Sequence, residues 1–328
     1  MNHRTITPVL LASALASCTS TGTATPPIGS IGQTPQAAVS TARGLWIASG
    51  SRPTKEGLVY VADTYFNHIL VYNQRGYAQL PIGEISTDIT FPIALSVDTH
   101  RNLWVANTNS ELESTILRFP QGSTSPDMIL GDPNWNVLSI WVAHDGAVFA
   151  VNSGYYGNCE IVEYPPNKTT SKVIGDKRLA YLTTAVAADA KGDIFASGFA
   201  QSGAGEVDVR PAGTKRWRNT GISLAEPGGL AFDGSGNLVV TDIGHEVIET
   251  FPPGQTKPSN TIGCSTQCVS VAFDRAGNRL WVDEVNDESG EIEERTYPSG
   301  TLTDRLLPPQ GSSPQSVAVS PVLSRIWH

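Results

Sequence analysis

Charged residues are scarce in this chain: Asp, Glu, Lys and Arg make up 16% of its 328 residues, against about a quarter in an average globular protein. Basic residues are outnumbered, with 22 Lys and Arg against 31 Asp and Glu, so the formal net charge is −9. Sequence-independent nucleic-acid binding needs a basic surface, and we therefore expect no nucleic-acid partner. The hydrophobic share of 40% is enough to fill a core and argues against a disordered chain.

Long apolar segments and helical patterns are also missing. After residue 20 no stretch has the roughly 20 apolar residues that a membrane-spanning helix requires, and we find no amphipathic helix. The sequence has no Gly-x-Ser-x-Gly nucleophile elbow, phosphate-binding loop or dinucleotide fingerprint. These absences favour an all-β chain without a recognised catalytic motif.

The first 17 residues have the pattern of an export signal. Arg4 precedes a short apolar run over residues 9–15, which ends in Leu15-Ala16-Ser17-Cys18. These four residues resemble the lipobox of bacterial lipoproteins, in which the Cys becomes the first residue and carries the lipid. The resemblance predicts lipidation of Cys18 and a place in the bacterial cell envelope, periplasmic or surface-exposed, with membrane contact through the lipid anchor only. The alternative is an ordinary secretory signal that is cleaved near Ala16.

A flexible tether is predicted to follow the anchor. Residues 19–43 are mostly Thr, Ser, Gly, Ala, Pro and Gln, with no charge before Arg43, and such a composition cannot offset its ordering entropy by burial. A tether of this length spans about 28 Å root-mean-square. We therefore expect three regions: a signal over 1–17, the lipidated Cys and tether over 18–43, and a folded domain over 44–328.

The folded region repeats every 42 to 46 residues. An apolar strand recurs after an Asp, Gly or Asn turn, as in Asn102-Leu103-Trp104-Val105-Ala106-Asn107 and Asn237-Leu238-Val239-Val240-Thr241-Asp242. Each period adds a strand before this turn and two after it, and four short strands make a propeller blade. The unit over residues 228–242 resembles the NHL-repeat and TolB-like six-bladed β-propellers, which implies an all-β fold of four-stranded antiparallel blades.

Counting the recurring strands gives six blades. The strand over residues 316–319 has no blade of its own, so we expect it to complete the first blade and close the ring, which removes exposed sheet edges. A seventh blade assembled from residues 44–48 and 326–327 is the alternative.

The central channel is expected to hold no metal and no cofactor. Gluconolactonase and paraoxonase-type hydrolases, which this fold resembles, hold a divalent metal with carboxylate and Asn side chains at the inner-strand starts. Their Pro-Asp-Gly-Leu-Ala motif reads Pro227-Gly228-Gly229-Leu230-Ala231 here, so Gly228 replaces the ligand Asp. The other inner-strand starts are not carboxylates either; they are Pro92, Ser139, Thr184, Val269 and Gln315. We expect no catalytic residues, with a hydrolase or lyase of divergent site as the alternative.

One residue closes each recurring strand, and together these residues should form a ring. They are Asp63, Asn107, Asn152, Gly198, Asp242 and Glu284. Such a ring could bind a polar ligand or a cation, but we expect each Asx side chain to cap its own turn. His68 and His245 follow two of these strands at equivalent positions, as a His does in zinc-bearing propeller lyases. Zinc catalysis needs about three converging ligands, so we expect solvated histidines.

Two local features of the sixth repeat carry further expectations. Its hairpin is rich in acidic residues: Asp283, Glu284, Asp287, Glu288, Glu291, Glu293 and Glu294. We expect a solvated acidic hairpin; calcium binding is the alternative, although the calcium-loop spacing is missing. Cys264 and Cys268 lie close in sequence in an exported chain and are predicted to form a disulfide, which leaves Cys159 as a buried residue or a free thiol.

Binding is predicted on the face formed by the loops after the recurring strands, because these loops differ most between repeats. Tyr155 and Tyr156 would supply a rigid aromatic pair. The polar contacts on this face would come from Asn107, Asn109, Asn152, Asp242, Glu284 and Asn286. The sequence thus favours a monomeric, non-catalytic envelope scaffold for an unidentified protein, peptide or glycan.

Overall fold

The computed structural model describes residues 57–74, 78–108, 114–132, 135–154, 159–175, 182–285 and 290–321. These residues form six four-stranded antiparallel sheets, and the predicted six-bladed β-propeller is confirmed. None of the helices among them is long and apolar enough to cross a membrane. The predicted signal, Cys18 and the tether lie outside the described residues, as do the segments 44–48 and 326–327 of the alternative seventh blade.

Each blade follows the same strand order from the channel outward. Blade one contains β24 (Pro314–Ser320), β1 (Leu58–Asp63), β2 (His68–Asn73) and β3 (Gly83–Ile85). Blade two contains β4 (Pro92–Val97), β5 (Leu103–Thr108), β6 (Ser114–Phe119) and β7 (Met128–Asp132). Blade three contains β8 (Trp135–Val142), β9 (Val148–Gly154), β10 (Cys159–Tyr164) and β11 (Lys172–Val173).

The second half of the ring repeats this order. Blade four contains β12 (Leu182–Ala188), β13 (Ile194–Phe199), β14 (Gly205–Arg210) and β15 (Arg218–Leu224). Blade five contains β16 (Pro227–Phe232), β17 (Leu238–Asp242), β18 (Val247–Phe251) and β19 (Asn260–Gly263), with a short 3-10 helix (Ile243–His245) after β17. Blade six contains β20 (Gln267–Phe273), β21 (Arg279–Val285), β22 (Gly290–Thr296) and β23 (Leu302–Leu306).

The last strand of the chain closes the ring. β24 pairs with β1 in antiparallel register, from Leu58 opposite Ser320 to Asp63 opposite Pro314. It supplies the inner strand that blade one otherwise lacks, as the repeat count predicts. Val317 and Val319 of β24 are buried with Val59, Val61 and Trp281, so the closing strand joins blades six and one through one apolar cluster.

Aspartate residues form the turns between the first and second strands of the blades. In blade five, Asp233 Oδ1 accepts hydrogen bonds from Ser235 N at 2.8 Å and Asn237 N at 2.9 Å. Gly236 adopts a φ of 79° within this turn, a conformation that costs glycine least. The equivalent aspartates are Asp98, Asp189 and Asp274. These capped turns correspond to the Asp, Gly and Asn residues that recur in the sequence repeats.

The antiparallel strand order gives the propeller two faces. The turn face carries the turns between first and second strands and between third and fourth strands. The connection face carries the loops between second and third strands and the connections from each blade to the next. The ring positions lie at the second-strand ends or one or two residues before them, on the connection face. They are Asp63, Asn107, Asn152, Gly198, Asp242 and Glu284.

Candidate functional site

Four residues of the ring hold the connections between blades in place. Asn107 Oδ1 accepts hydrogen bonds from the backbone N–H groups of Thr90 and Phe91, at 2.8 and 3.1 Å. Asp242, Glu284 and Asp63 act in the same way on the connections into blades five, six and one. Their donors are Ala225 N and Glu226 N for Asp242, Ser265 N and Thr266 N for Glu284, and Ser313 N for Asp63.

These side chains are therefore structural clamps. We expected each one to cap its own turn, and Asp63 does so by also accepting from Tyr65 N and Phe66 N. The turns that follow Asn107, Asn152 and Glu284 lie outside the described residues. Within the described residues, the carboxylate or amide oxygens of Asn107, Asp242 and Glu284 are directed to the incoming connection. Four of the ring side chains are at most 6% exposed, which leaves them little surface for contact with a partner on the connection face. They are Asn107, Asn152, Asp242 and Glu284.

Blade four has no such clamp because its ring position is Gly198. A Cβ atom built on Gly198 would lie 2.3 Å from the carbonyl oxygen of Leu182. The strands β12 and β13 thus approach too closely here for any other residue, and the ring is interrupted for a packing reason.

The two equivalent histidines bind the ring aspartates of their own blades. His245 Nδ1 lies 2.8 Å from Asp242 Oδ2, and His68 Nε2 lies 3.3 Å from Asp63 Oδ2. His245 is exposed as expected, but His68 is not solvated: its side chain is only 12% exposed, and Nδ1 lies 3.5 Å from Glu84 Oε2. The two histidines contact aspartates of different blades, so their side chains do not converge on one site.

The central channel is lined by all six inner strands. It contains a cavity of about 150 Å³ toward the turn face and one of about 160 Å³ toward the connection face. Among the described residues, the lining of both cavities is apolar apart from Ser, Thr and Gln side chains and carries no carboxylate, imidazole or cationic group.

Hydroxyl groups of the first and second strands link one blade to the next. Five of the six junctions have a hydrogen bond between a Ser or Thr side chain and the backbone of the neighbouring inner strand, among the residues that the structure describes. The bonds are Leu95 N to Ser316 Oγ (3.1 Å), Val142 N to Ser96 Oγ (3.2 Å), Ser197 Oγ to Gly228 O (2.8 Å), Thr241 Oγ1 to Val269 O (3.2 Å) and Val317 N to Ser270 Oγ (3.2 Å).

This lining does not fit the metal site of the hydrolases that the fold resembles. A hard divalent cation takes several oxygen ligands, usually with carboxylates among them, and the described inner strands present no carboxylate to the channel. In the described parts of the chain no group of three His, Cys, Asp or Glu side chains could hold a metal ion. The described channel lining therefore lacks the ligands of that metal site.

Four acidic residues of the blade-six hairpin, Asp283, Glu284, Glu293 and Glu294, are buried, in contrast to the solvated hairpin expected from sequence. The side chain of Glu291 is 47% exposed, and Asp287 and Glu288 lie outside the described residues. Glu284 and Glu293 are 2% and 0% exposed. Arg295 lies between them: its Nη2 donates to Glu284 Oε1 at 3.0 Å and its Nε to Glu293 Oε2 at 2.9 Å. Arg305 binds the other Glu293 oxygen at 2.9 Å. The carboxylates are thus held within an ion network instead of facing solvent.

Burial raises the pKa values of two acids in this network. Desolvation and the nearby charge of Glu293 raise the pKa of Glu284 to about 7. Asp283 is fully buried on the same face of β21 as Trp281, which packs against blade one. Desolvation, with a smaller effect of Glu284, raises the pKa of Asp283 to about 8, and neither of its oxygens has a hydrogen-bond partner among the described residues.

Substituting Asp283→Asn should remove part of the pH dependence of stability. Between about pH 4 and 8 the folded chain keeps a proton on Asp283. The unfolded chain, with a pKa near 4, has already released this proton. The free energy of unfolding of the parent therefore falls as pH rises through this window and levels off above it. Asn mimics the neutral acid, so its advantage over the parent should grow from pH 5 to pH 8 in urea unfolding.

The exposed Asp88 provides the matched control for this measurement. Asp88→Asn should shift the stability of the protein by the same small amount at each pH. An Asp283→Asn advantage that stays constant from pH 5 to pH 8 would show that Asp283 is ionised in the folded protein.

The predicted cysteine pair lies in the connection into blade six. Cys264 and Cys268 form a disulfide with their Cα atoms 6.1 Å apart. The connection that it encloses is also the one that Glu284 clamps through Ser265 and Thr266. Cys159 is buried and takes no part in this disulfide.

Exposed aromatic side chains lie together on the connection face. Tyr65, Phe66 and Phe91, the aromatic patch below, are 60%, 43% and 45% exposed. Tyr65 and Phe66 stack edge to face at 4.9 Å. In the orientation that satisfies its hydrogen bonds, the Asn67 amide donates to Thr90 O and so joins this turn to the connection that carries Phe91.

The members of this patch come from two loops that only the fold brings together, so the patch was not predicted from sequence. Tyr155 and Tyr156, the aromatic pair predicted from sequence, lie outside the described residues, as do Asn109 and Asn286. The available signal was two adjacent aromatics directly after the first recurring strand.

Comparisons with known proteins show similarity in fold. No family model and no curated protein sequence matches the chain. A chain from a crystal structure of a nidogen/laminin complex matches with a TM-score of 0.62 and 15% identity, over 80% of this chain and 98% of that one. A Bacteroides caccae protein of unknown function matches with a TM-score of 0.59 and 11% identity, over 81% and 99%.

A third similar structure is TolB from Acinetobacter baumannii, with a TM-score of 0.65 and 11% identity. The match covers 80% of this chain and 66% of TolB, so the chain spans just under two thirds of that protein. At these identities the likeness concerns architecture alone. The chain is a six-bladed β-propeller with the general fold of TolB.

Proposed function

We propose that the protein is an exported, lipid-anchored NHL-type propeller that holds a protein or peptide partner on its connection face and catalyses no reaction. The aromatic patch is the observation that carries this proposal. Three large rings are exposed on two loops that a hydrogen bond between Asn67 and Thr90 joins, and Asp63 and Asn107 hold these loops through further hydrogen bonds. Rigid aromatic groups contribute much of the energy in protein interfaces at little entropic cost.

The surroundings of the patch support a preformed surface. Thr64, which precedes Tyr65, donates through both its backbone N–H and its hydroxyl to Ser313 O at 3.1 Å. Asn107 holds both Thr90 and Phe91. Since the loops are fixed before a partner arrives, binding does not have to order them.

The sequence supports the anchor and the envelope location. The lipobox-like Leu15-Ala16-Ser17-Cys18 follows a short apolar run, and the disulfide between Cys264 and Cys268 suits an oxidising compartment. The channel lining supports the absence of catalysis, since its described residues include no carboxylate, imidazole or cationic group.

A photo-crosslinking amino acid at Tyr65 tests the proposed surface in cells. We expect a discrete crosslinked product from this position. The matched control places the same group at Ile129, which is 54% exposed on the outer strand β7, and should give no such product. Phe91→Ala, in the chain that carries the crosslinker at Tyr65, should lower the yield several-fold without a change in melting temperature.

Identical products from positions 65 and 129 would contradict the proposal, because they would reflect random collisions. An unchanged yield in the Phe91→Ala chain would remove the aromatic patch from the interface.

A further inference from the structure

The chain enters the propeller on the turn face. Gly57, the first described residue, accepts a hydrogen bond from Gln74 N at 3.2 Å, and Gln74 Nε2 donates to Ser320 O at 3.0 Å. These residues lie where β1 begins and β24 ends. Everything that precedes residue 57, including the predicted anchor Cys18, is therefore attached to the turn face, opposite the aromatic patch.

Exposed cations are distributed over the same face. Turns in five of the six blades carry seven exposed Lys and Arg side chains, and none of the seven forms an ion pair among the described residues. They are Arg101, Lys168, Lys191, Lys215, Arg216, Lys257 and Arg275. Blade four contributes three of them, Lys191, Lys215 and Arg216.

The described turns of this face carry seven Asp residues, of which Asp127 and Asp145 are exposed, Asp189 and Asp193 are half-buried and the other three are buried. Asp98, Asp233 and Asp274 are 7%, 3% and 8% exposed, and each accepts backbone N–H groups of its own turn. Asp127 is exposed but engaged by Arg118 at 2.7 Å. The cations therefore extend further from the domain than most of the acids that balance them in number.

The connection face has the opposite character. Its described loops contain no Lys or Arg; they cover residues 64–67, 86–91, 174–175, 200–204, 225–226, 243–246, 264–266 and 307–313. They do contain the acidic residues Asp88, Glu226 and Glu246. Among the described residues, exposed cations thus lie on the turns of the face that receives the chain and not on the loops of the other face; Lys177 and Arg178, in the connection into blade four, lie outside the described residues.

We infer that the turn face lies against an anionic phospholipid surface and that this contact orients the propeller, with the aromatic patch directed away from the membrane. The orientation rests on the lipid anchor of the proposed function; the contact itself rests on the cations. Lys and Arg side chains near an anionic bilayer each add to its attraction. A tethered domain meets that bilayer at high effective concentration, so weak attraction is sufficient to select the face.

Vesicle flotation of the full chain with Cys18→Ser tests the contact without an acyl chain. The probes are vesicles of phosphatidylglycerol with phosphatidylethanolamine, and vesicles of phosphatidylcholine alone. We expect binding to the anionic vesicles only, lost when the salt is raised to about 0.5 M. Replacing Lys191, Lys215 and Arg216 by Gln should weaken this binding by about tenfold or more, with an unchanged melting temperature.

A control of equal charge separates this face from net charge. Thr87→Glu, Gln201→Glu and Ser202→Glu together also change the charge by three, at exposed positions of the connection face, and should leave vesicle binding within about twofold of the parent. Three results would overturn the inference: no binding of the parent to anionic vesicles, equal binding of the triple Gln variant and the parent, or a loss of binding in the triple Glu control as large as that in the triple Gln variant. Crosslinking at Tyr65 uses no vesicles, so the membrane contact and the proposed partner surface can each fail without the other.

Discussion

A chain that lacks residues 314–328 should lose the cooperative melting transition of the parent. The deletion removes β24, which pairs with β1 over its full length and buries Val317, Ala318 and Val319. Burying each valine contributes about 1.5–3 kcal/mol, against a total stability of about 5–15 kcal/mol. The deletion also exposes the pairing edge of β1, so we expect aggregation on heating.

Deleting residues 19–43 provides a control that removes a longer piece of the chain. This deletion should leave the melting temperature within a few degrees of the parent in calorimetry, because the segment is predicted to be a tether. A chain without residues 314–328 that melts within a few degrees of the parent would refute closure by β24.

Replacing Arg295 by Met should lower the free energy of unfolding more than replacing any other charged residue of the blade-six network. The guanidinium of Arg295 is 7% exposed and also donates to Gly263 O at 3.0 Å. Without it, Glu284 and Glu293 remain buried together as like charges, a loss of about 3–5 kcal/mol. Urea unfolding at neutral pH should show a shift of that size.

The effect of Arg295→Met should depend on pH in a definite direction. Arg295 lowers the pKa of Glu284, which is nevertheless raised to about 7 by burial and by Glu293. Protonation of Glu284 relieves its repulsion with Glu293, so the loss of stability should shrink as the pH falls below about 7 and grow toward pH 8.

The pair of Arg118 and Asp127 offers a matched control. Its side chains are 23% and 44% exposed, and exposed pairs contribute about 0–1 kcal/mol, so Arg118→Met should cost no more than that. A second substitution, Glu293→Gln, should recover part of the stability that Arg295→Met loses. Equal losses from Arg118→Met and Arg295→Met would show that the blade-six network is not a distinct buried site.

The sequence repeat predicted the architecture because each blade is a local unit. Short strands and their Asp-Gly-Asn turns lie within a single period, as residues 228–242 illustrate, so both are visible in one stretch of chain. The repeat count also predicted closure, since the strand over 316–319 had no blade of its own. Cys264 and Cys268 are close in sequence, so their pairing required no knowledge of the fold.

The site was harder to predict because its contacts join distant residues. Asp283 and Glu284 follow Leu280, Trp281 and Val282 in an apolar strand, which is a hint of burial. Their hairpin nevertheless looked solvated, because the sequence does not show that Arg305 reaches the same carboxylate as Arg295. The clamps show the same limit: Asn107 binds Thr90 and Phe91, which belong to the connection that precedes its own blade.

The overlap of β24 and β1 also bears on how such a ring could change in size. The break between the ends of the chain falls inside blade one, after its inner strand, and not between two blades. Duplicating or losing one period of the chain would therefore leave the last strand still facing β1 as its partner. The interlock between the chain ends is independent of the number of blades, so this closure leaves blade number open to evolutionary change by gain or loss of single repeats.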